Sequence, residues 1–440
     1  MLKVARLDTG PCELFLKLEN QNPSGSIKDR IGRSMIEAAE REGKLRPGGT
    51  VIEATAGNTG LGLALVAALK GYRLILVVPD KMSIDKVNHL RALGAEVRLT
   101  RSDVGRGHPD YYQDVAERLA GEIPGGYWIN QFANPANPLA HETGTGPEIW
   151  RQMAGRLDAI VCGVGSGGTL TGLGRYFRRQ APEVRMILAD PVGSVLADLS
   201  RGRPMPAVGS WLVEGIGEDF VPPNCDLSLV AEAYSIDDHE ALGTARELLR
   251  KEGVLAGSST GTLLSAALRY CREQTRPKRV VSFVCDTGNK YPSRLYSNGW
   301  LAEQGLLLGP AAGNLRDLIA SRAEAGEVVR VRPEDTLATA YARLRLREVS
   351  QLPVLADGHI VGIIDESDVL LAVHGDAASF QAPVAHYMSG KLEVVPPGAS
   401  IAEILPTLRA DRVAIVVDGE RFLGLITKVD LINHLRRKTG

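Results

Sequence analysis

The sequence is short of the features that announce many functions. Its 51 lysines and arginines stand against 52 aspartates and glutamates, a net charge of -1 over 440 residues. No cationic excess is left to track a nucleic-acid backbone or an anionic membrane surface. No apolar run approaches the ~20 residues that cross a bilayer as a helix. The opening MLKVARLDTG lacks the apolar core of a signal peptide. Five cysteines (Cys12, Cys162, Cys225, Cys271, Cys285) are odd in number and never spaced CxxC. That pattern excludes a disulfide framework and a paired-cysteine zinc site, and suits reduced thiols. The eight histidines form no ligand-like pairs. The expectation is a cytoplasmic, metal-free protein with no nucleic-acid or membrane partner.

Glycine, by contrast, is plentiful. Its 48 residues concentrate in TAGNTG (55–60), GVGSGGTLTG (163–172) and AGSSTGT (256–262). Each cluster follows an apolar, β-branched run and precedes a helical pattern. In such a strand–turn–helix, backbone N–H groups converge on anions. Candidate strands are CELFLKLE (12–19), TVIEAT (50–55), RLILVVP (73–79), EVRLT (96–100), AIVCGV (159–164), VRMILAD (184–190) and VVSFVCD (280–286). Helical patterns such as LGLALVAALK (61–70) and DDHEALGTARELLRKEG (237–253) lie between them. The alternation predicts an α/β fold around mostly parallel sheets, with ligand at the carboxyl ends of the strands.

The character changes after Trp300. LAEQGLLLGPAAGN (301–314) reads as linker, and beyond it the chain repeats itself. DGHIVGIIDESDVL (357–370) resembles DGERFLGLITKVDL (418–431), with one extra residue before the later glycine. Upstream, VVRVRPEDTLATAYARL (328–344) resembles LEVVPPGASIAEILPTL (392–408). Two β-α-β-β-α units are expected, either a structural appendage or a paired ligand-sensing module. The boundaries read as a catalytic region 1–305, a linker 306–325, and repeats at 326–376 and 383–440.

One lysine stands out in the stretch NPSGSIKDR (22–30). Ser26 followed by Asp29 matches a capping box, which places Lys28 in the first turn of a helix. The positive end of the helix dipole disfavours an ammonium there by a few tenths to ~1 kcal/mol. The same field, with burial, favours the neutral amine, the form that attacks a carbonyl. A solvated charge at a helix start fits the stretch equally. TAGNTG offers small residues and the Asn58 amide at a helix entry, suited to a carboxylate or to turn geometry alone. In GVGSGGTLTG, Gly163, Gly165 and Gly168 match the dinucleotide pattern G-x-G-x-x-G, with Asp190 on the next strand. The interleaved Ser166 and Thr169 equally suit a compact terminal phosphate. GSSTGT brings hydroxyls without a carboxylate; Ser259 could donate to a pyridine nitrogen, or the turn could simply be capped.

Taken together, GSIKDR, TAGNTGLGLALVAALKGY, PDKMSIDKV with RALGAEV, NPANPLAH, GVGSGGTLTG, VEGIG and GSSTG resemble the β-family (fold type II) of pyridoxal-phosphate enzymes. Within it they are most similar to the cystathionine β-synthases, with cysteine synthases as close relatives. The tail resembles a tandem pair of CBS domains (a Bateman module). The resemblance implies two open twisted sheets flanked by helices, and a homodimer or larger assembly. By the same resemblance, Lys28 holds the aldehyde of pyridoxal 5'-phosphate and moves the Cα proton. Asn58 meets the cofactor's ring hydroxyl. Gly165, Ser166, Gly167, Gly168 and Thr169 cradle its phosphate, and Ser259 faces its ring nitrogen. Thr55, Ala56, Thr59 and Gln131 hold the substrate carboxylate, and Gly215 lines the pocket. The implied reaction replaces the hydroxyl of serine by a thiol through an aminoacrylate, giving cystathionine from homocysteine. With sulfide the product is cysteine.

Some positions depart from the family pattern. A GNTPL-like segment has no counterpart before MLKVARL, and neither has the haem-binding extension of animal relatives, so no haem is expected. Phe132 stands where several relatives carry tyrosine. CBS domains commonly show glycine, two apolar residues, a hydroxyl, then aspartate three positions later. Gly424, Thr427 and Asp430 fit; in the first copy Gly362 and Asp368 fit, but Asp365 replaces the hydroxyl. A carboxylate there repels an adenosine phosphate. The expectation at Asp368, Thr427 and Asp430 is an adenosyl ligand, with S-adenosylmethionine favoured over adenine nucleotides or one site lost. Two other function classes stay open at this point: a nicotinamide oxidoreductase and a non-catalytic adenosyl sensor.

Overall fold

A computed structural model of the chain describes residues 1–55, 57–80, 82, 84–105, 107–306, 315–319, 329–347 and 349–439. It divides into two compact units, Met1–Leu295 and Tyr296–Gly440.

The first unit is built on two sheets. The larger runs in the order Leu2–Lys3, Glu13–Leu18, Arg279–Val284, Ala159–Cys162, Arg185–Pro191, Glu232–Ile236. Only the first pair is antiparallel. The smaller is wholly parallel, in the order Glu96–Thr100, Arg73–Pro79, Thr50–Ala54, Gly126–Trp128. Strands sandwiched between helices are apolar on both faces, which is why their sequences read as continuous runs. Thr50–Ala54 is buried at every position. Alternation still sorts the faces: Val51, Leu74, Leu76 and Val78 join one core layer, and Ile52, Ala54, Ile75 and Val77 another. The expected strands are found within one or two residues of their sequence limits. The strands Gly126–Trp128 and Glu232–Ile236 were not anticipated.

Two helices of the first unit meet at unusually close range. Lys28–Arg41 crosses Asn58–Lys70, which begins three residues earlier than its apolar pattern, inside the glycine turn. They touch backbone to backbone. A Cβ on Gly62 would come 2.8 Å from the Lys28 carbonyl oxygen, and one on Gly32 would come 2.8 Å from the Gly62 carbonyl carbon.

In the second unit, the first copy places helix Leu337–Arg347 before the hairpin Gln351–Ala356 and His359–Asp365 and the helix Glu366–Gly375. The second repeats this with Ile401–Arg409, Ala414–Asp418, Arg421–Ile426 and Lys428–Thr439. Both hairpins carry a register shift at the same place, Val354/Leu355 and Val416/Val417. Neither hairpin is longer than the other: both turns have two residues, and the Asp-Gly pair of the second copy sits one position earlier. Asp357 and Gly358 form the first loop, whereas Asp418 still pairs with Arg421 and Gly419–Glu420 turn the chain. The leading strand is a short parallel pair in the second copy (Val394–Val395) and a single bridge, Val331 to Val354, in the first. The expected linker 306–325 needs correction where it is described. Leu315 and Ile319 are buried in the core of the second copy with Ile404, Leu408 and Ile426. The rest of that linker lies outside the described residues, save Leu306 and 316–318.

The glycine contacts give a paired prediction. Gly62→Ala must push the packed helices apart and is expected to destabilise the chain by about 1–3 kcal/mol. Gly243 lies mid-helix in Asp238–Glu252 with open space around its Cβ position. Gly243→Ala is expected to stabilise by about 0.5–1 kcal/mol. Urea denaturation of the two variants checks both signs.

Candidate active site

A cavity of about 1030 Å³ opens at the carboxyl ends of the first unit's strands, where the glycine turns lie. Lys28, Thr55, Asn58, Thr59, Gln131, Gly165, Ser166, Gly167, Gly168, Thr169, Gly215 and Ser259 all line it. Ala56 falls outside the described residues.

Lys28 is the first residue of its helix, but the expected capping box does not form. Ile27 occupies the cap position, and Asp29 accepts hydrogen bonds from the Ser24 hydroxyl and backbone N–H, the latter at 2.7 Å. The reason is sheet-like pairing of the approach. Ser26 bridges to Asp286, and the Ile27 N–H donates to the Cys285 carbonyl at 2.9 Å, which fixes the helix entry and leaves the Ser26 hydroxyl to accept, among the described residues, only the Lys28 N–H, at 3.3 Å. Two residues on, the Arg30 guanidinium grips Glu19 and Glu148, each at 2.7 Å. Burial pushes the Lys28 ammonium below the usual lysine range, against the pull of Cys285, Asp286 and Glu218.

The phosphate-loop residues sit at the start of helix Gly168–Gln180. Gly167 is left-handed at φ 84° and a Cβ on it would meet Cys225 at 2.7 Å, and a Cβ on Gly165 would meet the Gly215 carbonyl oxygen at 2.6 Å. Only glycine leaves that concavity open. Beneath it, the Asn137 amide donates to the Ser166 hydroxyl at 2.8 Å and to the Gln131 carbonyl at 2.7 Å, joining two parts of the site. His141 opens a π-helical turn, His141–Thr145, of the kind that recurs at functional sites. It faces Thr169 at 3.3 Å, and burial pushes its pKa down to about 3, so it is a neutral partner.

Around the remaining wall, Asn58 donates to Asp286 at 2.8 Å and accepts from the Lys290 ammonium at 2.6 Å. That pair fixes which end of the amide is oxygen. Asp286 is 1% exposed and also accepts from the Tyr291 hydroxyl at 2.6 Å; its second oxygen has no partner among the described residues. Ser259 lies in the first turn of Ser258–Arg272, beside Cys285. On the opposite side the Thr59 hydroxyl donates to the Gln131 side chain at 2.6 Å. The Gln131 N–H donates to buried Glu53, whose carboxyl burial pushes up to about 8. Phe132 leans on Phe220, ring centres 5.7 Å apart, an apolar wall with no hydroxyl.

These residues fit a phosphorylated pyridine aldehyde. A glycine-walled anion cradle at a helix start, an amine whose charging burial disfavours and a hydroxyl in the first turn of a helix are what such a group calls for. The dinucleotide reading does not fit. Asp190 lies outside the cavity lining, fully buried, and accepts the Ala197 N–H at 2.8 Å.

The sequence reading assigned no role to Lys86, Glu214, Glu218, Asp286 or Lys290. Lys86 and Glu214 are ion-paired at the cavity wall, and Arg294 holds the other Glu214 oxygen at 2.7 Å. Both lie in the motifs PDKMSIDKV and VEGIG. Lys290 carried no local signal, since its partner is 232 residues away.

In the second unit, Asp365 caps helix Glu366–Gly375 in a reciprocal box with Asp368 (2.8 and 3.0 Å). In the other copy Asp430 accepts from the Thr427 N–H at 2.8 Å and hydroxyl at 2.7 Å. The aspartate that replaces a hydroxyl is thus an equally good cap, with added negative charge.

Residues 1–286 match the pyridoxal-phosphate dependent enzyme family, and 316–375 and 384–437 each match the CBS domain. Cystathionine beta-synthase of Apis mellifera is 34% identical over 97% of this chain and 86% of its own. Cysteine synthase 1 of Neurospora crassa is 40% identical over 70% of this chain and 83% of its own. Among solved structures, a hydrogen sulfide-producing enzyme from Fusobacterium nucleatum superposes with a TM-score of 0.61 at 36% identity, covering 66% of this chain and 93% of that one. With a site built for that cofactor and similarity over nearly its whole length, the chain belongs to the pyridoxal-phosphate-dependent enzyme family, in its cystathionine β-synthase branch, with tandem CBS domains.

Proposed function

We propose that the protein condenses L-serine with L-homocysteine to L-cystathionine and water. The observation that carries this reading is Lys28, desolvated in the same cavity as three glycine-rich helix-start turns. When bound, pyridoxal phosphate supplies the aldehyde that captures the amino acid and the sink for negative charge at Cα. Lys28, as a neutral amine, removes the Cα proton and returns it at the end. Gly165 to Thr169 hold the phosphate, with Asn137 and His141 orienting the hydroxyls of Ser166 and Thr169. Asn58, its amide set by Asp286 and Lys290, meets the ring hydroxyl. Ser259 donates to the ring nitrogen, which keeps Cα charge mobile enough to expel the β-substituent. Thr55, Ala56, Thr59 and Gln131 bind the carboxylate, and Gly215 closes the wall.

A second reading is cysteine synthesis from sulfide, favoured by the Neurospora relative. The charges at the cavity wall, Lys86 and Glu214 with Arg294 behind them, argue for homocysteine, whose ammonium and carboxylate need partners that sulfide does not. We further infer a homodimer or larger, a cytoplasmic location, no haem, and an adenosyl ligand at Asp368, Thr427 and Asp430. The paired carboxylates Asp365 and Asp368 favour a cationic sulfonium over a nucleotide phosphate.

Three outcomes are expected. The purified protein carries a visible absorbance band abolished by borohydride; Lys28→Ala folds, is colourless, and loses turnover by about 10²–10⁴-fold or more. Absence of the band after added cofactor would sink the reading. Serine plus homocysteine is turned over faster than O-acetylserine plus sulfide; the reverse order in a direct kinetic comparison selects the second reading. Calorimetry shows S-adenosylmethionine binding more tightly than ATP or AMP, whereas tight ATP binding abolished by Asp368→Ala contradicts the ligand assignment.

A further inference from the structure

One cavity-lining carboxyl takes no part in the chemistry proposed for Lys28 and its neighbours. Glu218 ends the cavity-lining segment 213–218, and its backbone is pinned on both sides. The Gly217 N–H donates to the Val164 carbonyl at 2.8 Å. The Glu218 N–H donates to the Ser194 hydroxyl at 3.1 Å, and its carbonyl accepts the Val195 N–H at 3.1 Å. The side chain, by contrast, takes no hydrogen bond or ion pair among the described residues. It faces the cavity and is close enough to Lys28 that each shifts the other's proton affinity. Burial pushes the carboxyl up to about 8; Asp219 and Asp190 push the same way, and Lys28 opposes them. Tyr112, from the smaller sheet's side, also faces it.

The overall reaction needs a proton where no residue has yet supplied one. Hydroxide is a poor leaving group, so the serine oxygen must be protonated as the Cβ–O bond breaks. The incoming thiol must then lose a proton as its sulfur bonds to Cβ. Lys28 serves Cα, and a separate carboxyl facing Cβ spares it from serving two carbons at once.

Resting on the proposed serine-plus-homocysteine reaction, we propose that Glu218 is the acid–base catalyst at the β-carbon. As the Cβ–O bond breaks, its electron pair stays on oxygen, which takes the Glu218 proton and leaves as water. As the thiol sulfur forms the Cβ–S bond, the S–H proton passes to the Glu218 carboxylate. Glu218 ends as it began, and the sum is serine plus thiol giving thioether plus water. A thiol with a pKa of about 8.5 and a carboxyl raised to about 8 are well matched for that second transfer.

The test compares β-substituents that do and do not need a proton to leave. Glu218→Gln is expected to keep the cofactor band and the KM for serine. Its kcat with serine plus homocysteine falls by about 10²–10⁴-fold. In a single turnover without thiol, loss of the β-substituent from O-acetylserine or β-chloroalanine is expected to slow by less than about tenfold, because acetate and chloride depart unprotonated, whereas loss of the serine hydroxyl slows by about 10²–10⁴-fold. In the wild type, release of the serine hydroxyl in a single turnover slows as pH rises through about 8, where the protonated carboxyl is lost. That limb is expected to vanish in Glu218→Gln. Glu218→Asp, which retains a carboxyl, is expected to keep more serine turnover than Glu218→Gln; the reverse order overturns the assignment. Unchanged serine turnover in Glu218→Gln, or equal losses with all three donors, overturns it too while the functional reading stands. A wild type inactive on serine with homocysteine overturns both.

Discussion

Arg30 carries the constraint on which the site depends. Its guanidinium bridges Glu19 and Glu148, and Lys17 adds a second cation to Glu148 at 3.0 Å. Glu19 is 2% exposed, so this is a largely desolvated network in which each charge is tolerable only with its partners present. Its position gives it meaning. Arg30 sits two residues after Lys28, and its partners belong to the turn Glu19–Gln21 that follows strand Glu13–Leu18 and to helix Gly146–Gln152. The first turn of the Lys28 helix is therefore held to two other elements by forked, directional bonds. The backbone contact at Gly32 and Gly62 holds the same helix from the other side. An amine meant to reach one carbon atom needs this, since its own flexible stem supplies little aim.

Much of this fold was legible because its strands are buried on both faces. Continuous apolar runs ending in glycine leave few other readings, and the helix-start turns followed from them. The boundaries that moved did so for tertiary reasons. Helix Asn58–Lys70 starts inside its glycine turn because the ligand side, not the apolar stripe, dictates that end. Ser26 looked like a cap by spacing alone, yet its backbone was taken by Asp286. Leu315 and Ile319 read as linker because four or five residues cannot display a period, although a core claims them.

The site shows the same division. Glycines, hydroxyls and Lys28 could be picked out because chemistry restricts which residue types serve a phosphate, a ring or a carbonyl. The residues that orient them could not. Asn137, His141 and Lys290 act through distances that no local window contains. Asp190 is the converse case, correctly placed in sequence for a ribose and turned in space to a backbone N–H. A motif fixes where a side chain begins; packing fixes what it meets.

The electrostatics of the cavity then follow from one cause acting on two kinds of group. Desolvation disfavours whichever form is charged. Applied to Lys28, it weakens the ammonium's hold on its proton and so favours the amine. Applied to Glu218, it turns what is ordinarily a base, the carboxylate, into a carboxyl able to give one. Mutual attraction works against both shifts, because an ion pair of the two would suit each charge. It does not prevail here, because the Glu218 backbone is pinned to the Ser194 turn and Lys28 to its helix start, so the charged forms gain less from each other than they lose from water. A base beside Cα and an acid beside Cβ are what an elimination across that bond requires. The same dry cavity biases both residues away from their ordinary charged forms.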